Sequence, residues 1–476
     1  MPPSGDICML EPRCLMIHEL PANRCRRARA RNTIHTRRRD YPHVNHRSSN
    51  VLHAVIVGAG PYGLSLAAHL REAGVPFRIF GRAMRSWATQ MPEGMRLKSD
   101  GFASNLSTGS VPFTLEDFCR LTRRPYHATQ LPIAVEDFIA YGQEFARRFV
   151  PSLEECNITA IERSDDTPHA FRVTTETGDS FVARHVILAT GVSLFQYMPS
   201  NLGHLPREMV THTVDHHTFH KFRGHDVTVL GRGASSLNAA ALLHEAGSRV
   251  TLVTRKHKIH IHHKGTPQTR SLYQRLRHPS SPLGSSLRSW LSCTMPGLFK
   301  SFPAPVRDLL VYKHLGPAGG SSLEGRVQGK FPLLLGWSIV GAELMDAPNT
   351  NDRRIRLLLT NVELETREHI TSHVIAGTGF RVDIKRYRFV ADALLHAVRT
   401  RRNGAPILSR SFESSVKGLY MIGPVAQNSF GPLLRFAAGA EFAASQVTAQ
   451  LLRDYAAVRT RAVPAFAPIP ASTTIE

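Results

Sequence analysis

The sequence predicts an α/β fold in which parallel strands alternate with helices, and three observations carry that prediction. Residues 54–57 form a short apolar run that enters Gly58-Ala59-Gly60-Pro61-Tyr62-Gly63 and then a helical pattern over 64–71. The same order of events returns at 226–230, Gly231-Arg232-Gly233-Ala234-Ser235-Ser236 and 237–246. Residues 185–191 (HVILATG) and 373–379 (HVIAGTG) echo each other, each a buried-strand pattern leaving through a glycine, Gly191 and Gly379. Strand, glycine turn and helix in that order open a βα unit of a parallel sheet.

In such a unit each glycine of G-x-G-x-x-G has its own reason. Gly58 permits the tight turn, Gly60 lets a pyrophosphate approach the backbone, and Gly63 lets helix and strand pack closely. Free N–H groups at the helix start, aided by the helix dipole, then hold phosphate. Ala59 and Pro61 complete that loop, so residues 54–71 read as a dinucleotide site. After Gly74, residues 76–80 give the second strand, which ends in Phe80-Gly81-Arg82. An acidic residue usually ends this strand and holds the adenosine ribose; here there is none.

Residues 85–107 read as an irregular functional loop bearing Trp87 and Lys98. Two amphipathic helices are expected in 113–148, one of them over 135–148. Residues 171–183 read as a hairpin turning at Thr177-Gly178-Asp179 and leading to the first glycine exit. The second approach is read as strands over 355–360 and 362–364. In the second unit Gly247 caps the helix and residues 249–253 form the next strand, which ends at Thr254-Arg255-Lys256. Basic residues there suit a 2′-phosphate, favouring NADP over NAD. Residues 265–325 read as an insertion. The last segment, 418–452, is expected to give a strand over 419–422 and a helix opening at Pro432 after Gly431.

The chain has 476 residues and a formal net charge of +22. Such a balance raises nucleic acid as a partner, but the charge is scattered and no zinc-finger spacing or RNP-like pattern accompanies it. No apolar run approaches the roughly 18 residues of a membrane span; the nearest, 332–342, reads as core. Residues 1–50 read as a disordered arginine-rich extension, either a transit peptide or an over-long start, and 457–476 as a disordered tail. The six cysteines, Cys8, Cys14, Cys25, Cys119, Cys156 and Cys293, form no C-x-x-C pair, which fits reduced thiols in the cytoplasm. Histidines at 212, 216, 217, 220, 257, 260, 262 and 263 are dense, and His216 and His220 are spaced for one helix face. With no regular Cys or Glu partner, a polar interdomain surface explains them better than a metal site.

Two dinucleotide motifs, the corners at 189–191 and 377–379, and the terminal strand-to-helix segment together resemble the two-dinucleotide-binding-domain flavoproteins, and within them the flavin-containing monooxygenases. The resemblance runs from residue 51 to 452. It implies an FAD-binding Rossmann-like three-layer domain (51–200 and 371–456) with an inserted NAD(P)-binding Rossmann-like domain (201–370). Gly58, Ala59, Gly60, Pro61, Gly63, Gly191, Gly379, Gly423 and Gly431 would then serve FAD, with Trp87 and Lys98 lining the flavin. Gly231, Gly233, Ser235, Ser236 and Arg255 would serve NADPH. NADPH would reduce FAD, and a C4a-hydroperoxyflavin formed with O2 would oxygenate a small soluble substrate, first of all a nitrogen-containing one. No catalytic acid or base is demanded by the spacing.

The chain departs from the family in two places. The linker signature F-x-G-x-x-x-H-x-x-x-[YF] is matched loosely by Gly203, His212 and Phe219, with the first Phe missing and a longer spacing. The usual terminal Gly-Asp is Gly423-Pro424. A reductase passing electrons to a ferredoxin or quinone shares both motifs and is the alternative; a disulfide reductase needs a cysteine pair beside the flavin.

Overall fold

The computed structural model describes residues 51–129, 132–261, 278–313, 318–345 and 353–462. Three sheets organise them. The first is seven-stranded, in the order β3-β2-β1-β6-β5-β4 with β15 added beside β6. Its members are β1 (Val51–Val57), β2 (Phe77–Phe80), β3 (Leu153–Glu154), β4 (Ile158–Arg163), β5 (Phe171–Thr175), β6 (Ser180–Leu188) and β15 (Leu419–Met421). β6 is long enough to serve two partners on one side: its first half pairs antiparallel with β5 and its second half parallel with β15. That division seats β15 beside β6, whose other side pairs parallel with β1.

The second sheet is wholly parallel, β10-β9-β8-β14-β7. It consists of β7 (Val210–His212), β8 (Asp226–Leu230), β9 (Arg249–Thr254), β10 (Leu333–Leu335) and β14 (His373–Ala376). A parallel sheet is covered on both faces, and β8 and β14 are buried accordingly. The third sheet is the antiparallel β11-β12-β13 (Ser338–Met345, Arg354–Thr360, Thr366–Thr371).

The helix that follows β1, α1 (Pro61–Glu72), is buried from Pro61 to Leu70. It packs on the sheet and beside the long C-terminal helix Ala440–Ala462, whose Ala440, Ala443, Ala444, Val447 and Leu451 join the same core. Small residues on both helices allow that close approach. The equivalent helix of the second unit, α5 (Ala234–Glu245), is likewise buried over most of its length.

Several sequence expectations are corrected in detail. Residues 362–364 lie in the turn between β12 and β13, with Leu364 left-handed at φ 63°; the strand begins at Thr366. Residues 332–342 are two half-buried strands broken at Gly336 (φ 83°), so they are not solid core. Residues 85–107 contain a short helix, Arg85–Gln90, entered through a left-handed Met84. Pro432 opens only a 3-10 turn, Pro432–Arg435, and the helix proper starts at Ala440. That helix runs to Ala462, past the expected start of the tail. The expectations for residues 1–50, and for 463–476, fall outside the described residues, as do Cys8, Cys14, Cys25, His262 and His263. Within the expected insertion, Leu287–Thr294, Pro296–Phe299 and Ala304–Lys313 are helical.

Candidate dinucleotide sites

The first glycine loop leaves the carboxyl end of β1, where Gly58 N donates to Phe80 O at 2.8 Å and Ala189 N donates to Val57 O at 2.8 Å. Gly58 has φ 114°, and a Cβ there would stand 2.5 Å from Ala189 O. A Cβ on Gly63 would stand 1.9 Å from Gly58 O. Both positions are closed to any side chain. Gly60, the N-cap of α1, has nothing within 4 Å of its missing Cβ. Two glycines thus close the turn, while the third leaves open space in front of a helix N-terminus with Pro61 at its first position. That is the cradle a pyrophosphate needs.

A cavity of about 260 Å³ extends from this cradle. Gly58 through Tyr62, Trp87, Gly191, Gly423 and Pro424 line it, together with Gly81, Arg82, Arg85, Asn157, Thr190 and Phe389. The structure therefore brings together Gly58, Ala59, Gly60, Pro61, Trp87, Gly191 and Gly423. Trp87 stands edge-on to Phe138 with ring centroids 4.7 Å apart, which fixes the indole as a wall. Pro424 replaces the family's Asp without closing the cavity.

Lys98, Gly379 and Gly431 lie elsewhere. Lys98 is half-buried against Gly320, 3.7 Å from that residue's Cβ direction, and burial lowers its pKa. Gly431 (φ 94°) packs under the Phe299 ring of the inserted helices. Gly379 O accepts from Tyr197 N at 2.9 Å and from the His212 ring at 3.2 Å.

His212 is fully committed to backbone. Its Nε2 donates to Gly379 O, and its Nδ1 accepts from Val214 N at 3.3 Å. The loosely matched signature histidine thus ties the end of β7 to the glycine exit of β14. His216, read from sequence as a possible metal pair with His220, is buried beside Thr211 Oγ1 at 2.7 Å, and the same hydroxyl lies 2.7 Å from His373.

The second loop repeats the first. Gly231 N donates to Val253 O at 2.9 Å, and Gly377 N donates to Leu230 O at 2.8 Å. Gly231 has φ 115°, with its Cβ direction 2.5 Å from Gly377 O. Gly233 caps α5, and Ser236 is buried with its hydroxyl donating to Gly377 O at 2.8 Å. Ser235 and Arg255 are exposed at the loop and at the exit of β9. Arg232 donates to Lys258 O at 3.3 Å and adds to the cationic rim beside Arg255 and Lys256. A second cavity, about 330 Å³, sits at the opposite end of β8 around Asp226, Thr228 and Arg249, away from this loop.

Sequence reasoning missed three contributors to the first site. Tyr62 donates from its hydroxyl to Leu434 O and Phe436 O at 2.9 and 2.8 Å, clamping the returning chain onto α1. Asn157, just before β4, and Phe389, in a turn after β14, reach the cavity from segments distant in sequence. Only the position of Tyr62 inside the glycine motif could have flagged it; the others carry no local signal.

Residues 55–275 match the model of the pyridine nucleotide-disulphide oxidoreductase family. Among the described residues Cys119, Cys156 and Cys293 are free thiols. A probable indole-3-pyruvate monooxygenase of Arabidopsis thaliana, YUCCA8, is 30% identical over 228 residues, covering 44% of this chain and 49% of that protein. Indole-3-pyruvate monooxygenase YUCCA1 of Oryza sativa subsp. japonica is 28% identical over 225 residues, with 45% and 50% covered. The chain thus spans about half the length of the curated relatives it matches. The reduced form of ornithine hydroxylase from Pseudomonas aeruginosa superposes with a TM-score of 0.65 at 15% identity, covering 85% of this chain and 100% of that one. Bacillithiol disulfide reductase from Staphylococcus aureus gives 0.54 at 18% identity, covering 85% and 98%. With both glycine cradles in place at the ends of parallel strands, the chain has the FAD/NAD(P)-binding fold of the two-dinucleotide-binding-domain flavoproteins and, among them, resembles the flavin-containing monooxygenases.

Proposed function

We propose that this chain is an FAD-dependent, NADPH-using monooxygenase that oxygenates a small, soluble, nitrogen-containing molecule with O2. The observation that carries the reading is the pair of glycine turns at Gly58–Gly60 and Gly231–Gly233, each opening a helix and each closed against the exit of a neighbouring strand, at Ala189 and at Gly377. The monooxygenase names of the sequence relatives support oxygenation, and the indole-3-pyruvate in those names is itself a small nitrogen-containing molecule. FAD supplies hydride acceptance and oxygen activation when bound.

The chain's own residues do the rest. Gly58, Ala59, Gly60, Pro61 and Gly63 hold the flavin's pyrophosphate at the start of α1, while Trp87, Gly191 and Gly423 bound the cavity beyond it. Gly231, Gly233, Ser235 and Ser236 hold the second pyrophosphate, and Arg255 meets the 2′-phosphate.

The test is steady-state oxidation of NADPH by the full chain, with hydrogen peroxide, oxygenated product and reduction of a quinone each measured. A monooxygenase consumes an amine, keto acid or indole substrate with little peroxide. Faster turnover with the quinone than with O2, and no oxygenated product, supports the reductase instead. Replacing Arg255 by Gln is expected to raise the KM for NADPH roughly tenfold while leaving that for NADH unchanged, the size of one charge-assisted phosphate contact.

A further inference from the structure

An acid at the end of the second strand normally anchors the adenosine ribose, and this chain has Gly81 there. The reason is in the backbone. Gly81 has φ 130°, and a Cβ on it would stand 3.2 Å from Ala59 N, within the phosphate loop. A positive φ with so little lateral room favours glycine over Glu or Asp, so a carboxylate at this point has to come from another segment.

Two carboxylates approach it. Glu154, at the end of β3, is already taken: Arg78 donates to both of its oxygens at 2.7 and 2.6 Å. That bidentate pair fastens β2 to β3. Glu176, in the turn between β5 and β6, is held differently. Its Oε2 accepts from Asn157 Nδ2 at 2.6 Å, and its backbone N–H donates to Asn157 O at 2.8 Å. Its Oε1 lies 3.5 Å from the Arg82 guanidinium, a long contact that leaves acceptor capacity unused. Arg82 and Asn157 both line the first cavity. Hydrogen bonding to Asn157 is the first cause that holds the carboxyl below its ordinary pKa, so Glu176 is an acceptor at neutral pH.

The geometry points to Glu176 as the relocated carboxylate of the first site, accepting hydrogen bonds from the adenosine half of the bound dinucleotide and oriented by Asn157 and Arg82. This rests on the reading of that site as the FAD site. The plain alternative is a surface ion pair between Arg82 and Glu176, worth little by itself. The two differ in what they do to two flavins, because FMN lacks the adenosine half.

The full chain, stripped of flavin, is titrated with FAD and separately with FMN while flavin fluorescence is followed. Wild type is expected to bind FAD more tightly than FMN. Glu176→Gln is expected to raise the Kd for FAD roughly tenfold, as loss of a charged acceptor does, with the Kd for FMN unchanged. Asn157→Ala shifts FAD in the same direction by less. Equal weakening of FAD and FMN, or no change in either, overturns the assignment and leaves the ion pair. A wild-type chain that binds FAD no better than FMN overturns it as well. Wild type that binds neither flavin removes the flavin reading itself, and the assignment with it.

Discussion

The two glycine loops solve the same contact in opposite ways. In the first unit the helix contributes no side chain, Gly63, and the facing strand exit contributes a methyl group, Ala189, whose Cβ lies 3.4 Å from the Gly63 Cβ direction. In the second unit the helix contributes Ser236 and the strand exit gives way with Gly377, where a Cβ would meet Ser236 Oγ at 2.4 Å and its Cβ at 2.7 Å. Helix-to-strand closeness is therefore kept in both, but the atom that fills the gap changes sides. The second arrangement adds a hydrogen bond, Ser236 Oγ to Gly377 O, that the first cannot make. A third-glycine pattern in sequence is thus one solution to a packing requirement that a residue pair satisfies.

The sharpest way to break this comparison is Gly63→Ala. Its methyl would stand 1.9 Å from Gly58 O, and neither backbone can yield without opening the turn. We expect a loss of roughly 3 kcal/mol or more, at the top of overpacking costs, with a lower Tm and loss of bound flavin. The equivalent position in the second unit already carries Ser236. Gly63→Ala that melts within a degree of wild type would mean that the first helix has room for a side chain, as the second has for Ser236, and the two would not differ.

The echoed strands also differ in how they carry a buried histidine. His185 on β6 and His373 on β14 occupy the same place in the repeated sequence, and desolvation by burial pushes both pKa values down, to about 4 and about 3. His185 is further depressed by His53 and partly relieved by Asp454 at 3.9 Å, whereas His373 is further depressed by His216 and Lys221. The unfolded chain takes up these protons near pH 6.5, and the folded chain does so only near pH 4 or below. The stability they contribute is present above pH 6.5 and is lost as pH falls toward the folded values, about 3 kcal/mol per histidine at pH 4. The second sheet carries a further group of this kind, His216, which burial pushes down to about 4 beside His373, so hydrogen exchange between pH 7 and 4 should show β7, β8 and β14 opening before β1 and β6. His373→Gln should flatten the acid limb of the second sheet alone; opening of both sheets together at one pH would contradict the difference.

Much of this was legible in the sequence for physical reasons. Gly58 and Gly231 stand in turns only glycine can make, so their spacing after an apolar run carried both strands and both helices. HVILATG and HVIAGTG were legible because a strand buried on both faces is nearly all apolar. What stayed hidden depends on contacts made across the fold. Glu176, Asn157 and Phe389 converge on Arg82 and the first cavity from the turn after β5, the link before β4 and the segment after β14, and no local pattern marks a residue for a partner a hundred positions away. Lys98 illustrates the converse: a lysine in an irregular loop looks like a lining residue, yet its Cα and Cβ sit against Gly320 and it is not among the residues lining the first cavity. The helix expected at Pro432 failed because Gly431 at φ 94° and Tyr62's hold on Leu434 O and Phe436 O keep that stretch in a 3-10 turn.

The finest test of the opposite solutions exchanges them. Gly377→Ala places a methyl into Ser236, and because Gly377 has no left-handed φ, lack of space alone decides the outcome. Crowding a buried pair in this way costs roughly 2 kcal/mol. Ser236→Gly alone loses one buried hydrogen bond and adds a glycine to a helix, about 1 kcal/mol each. The double variant recreates the first unit's pairing of a helix glycine with a strand alanine. It should therefore be more stable than the sum of the single losses by on the order of 1 kcal/mol, a coupling a denaturation cycle resolves. The rescue is incomplete, since the methyl of residue 377 still faces the Ser236 backbone at 2.8 Å. Additive losses would show that the Ser236 side chain does not fill the space the first unit gives to Ala189, and the symmetry of the two cradles would end at Gly58 and Gly231.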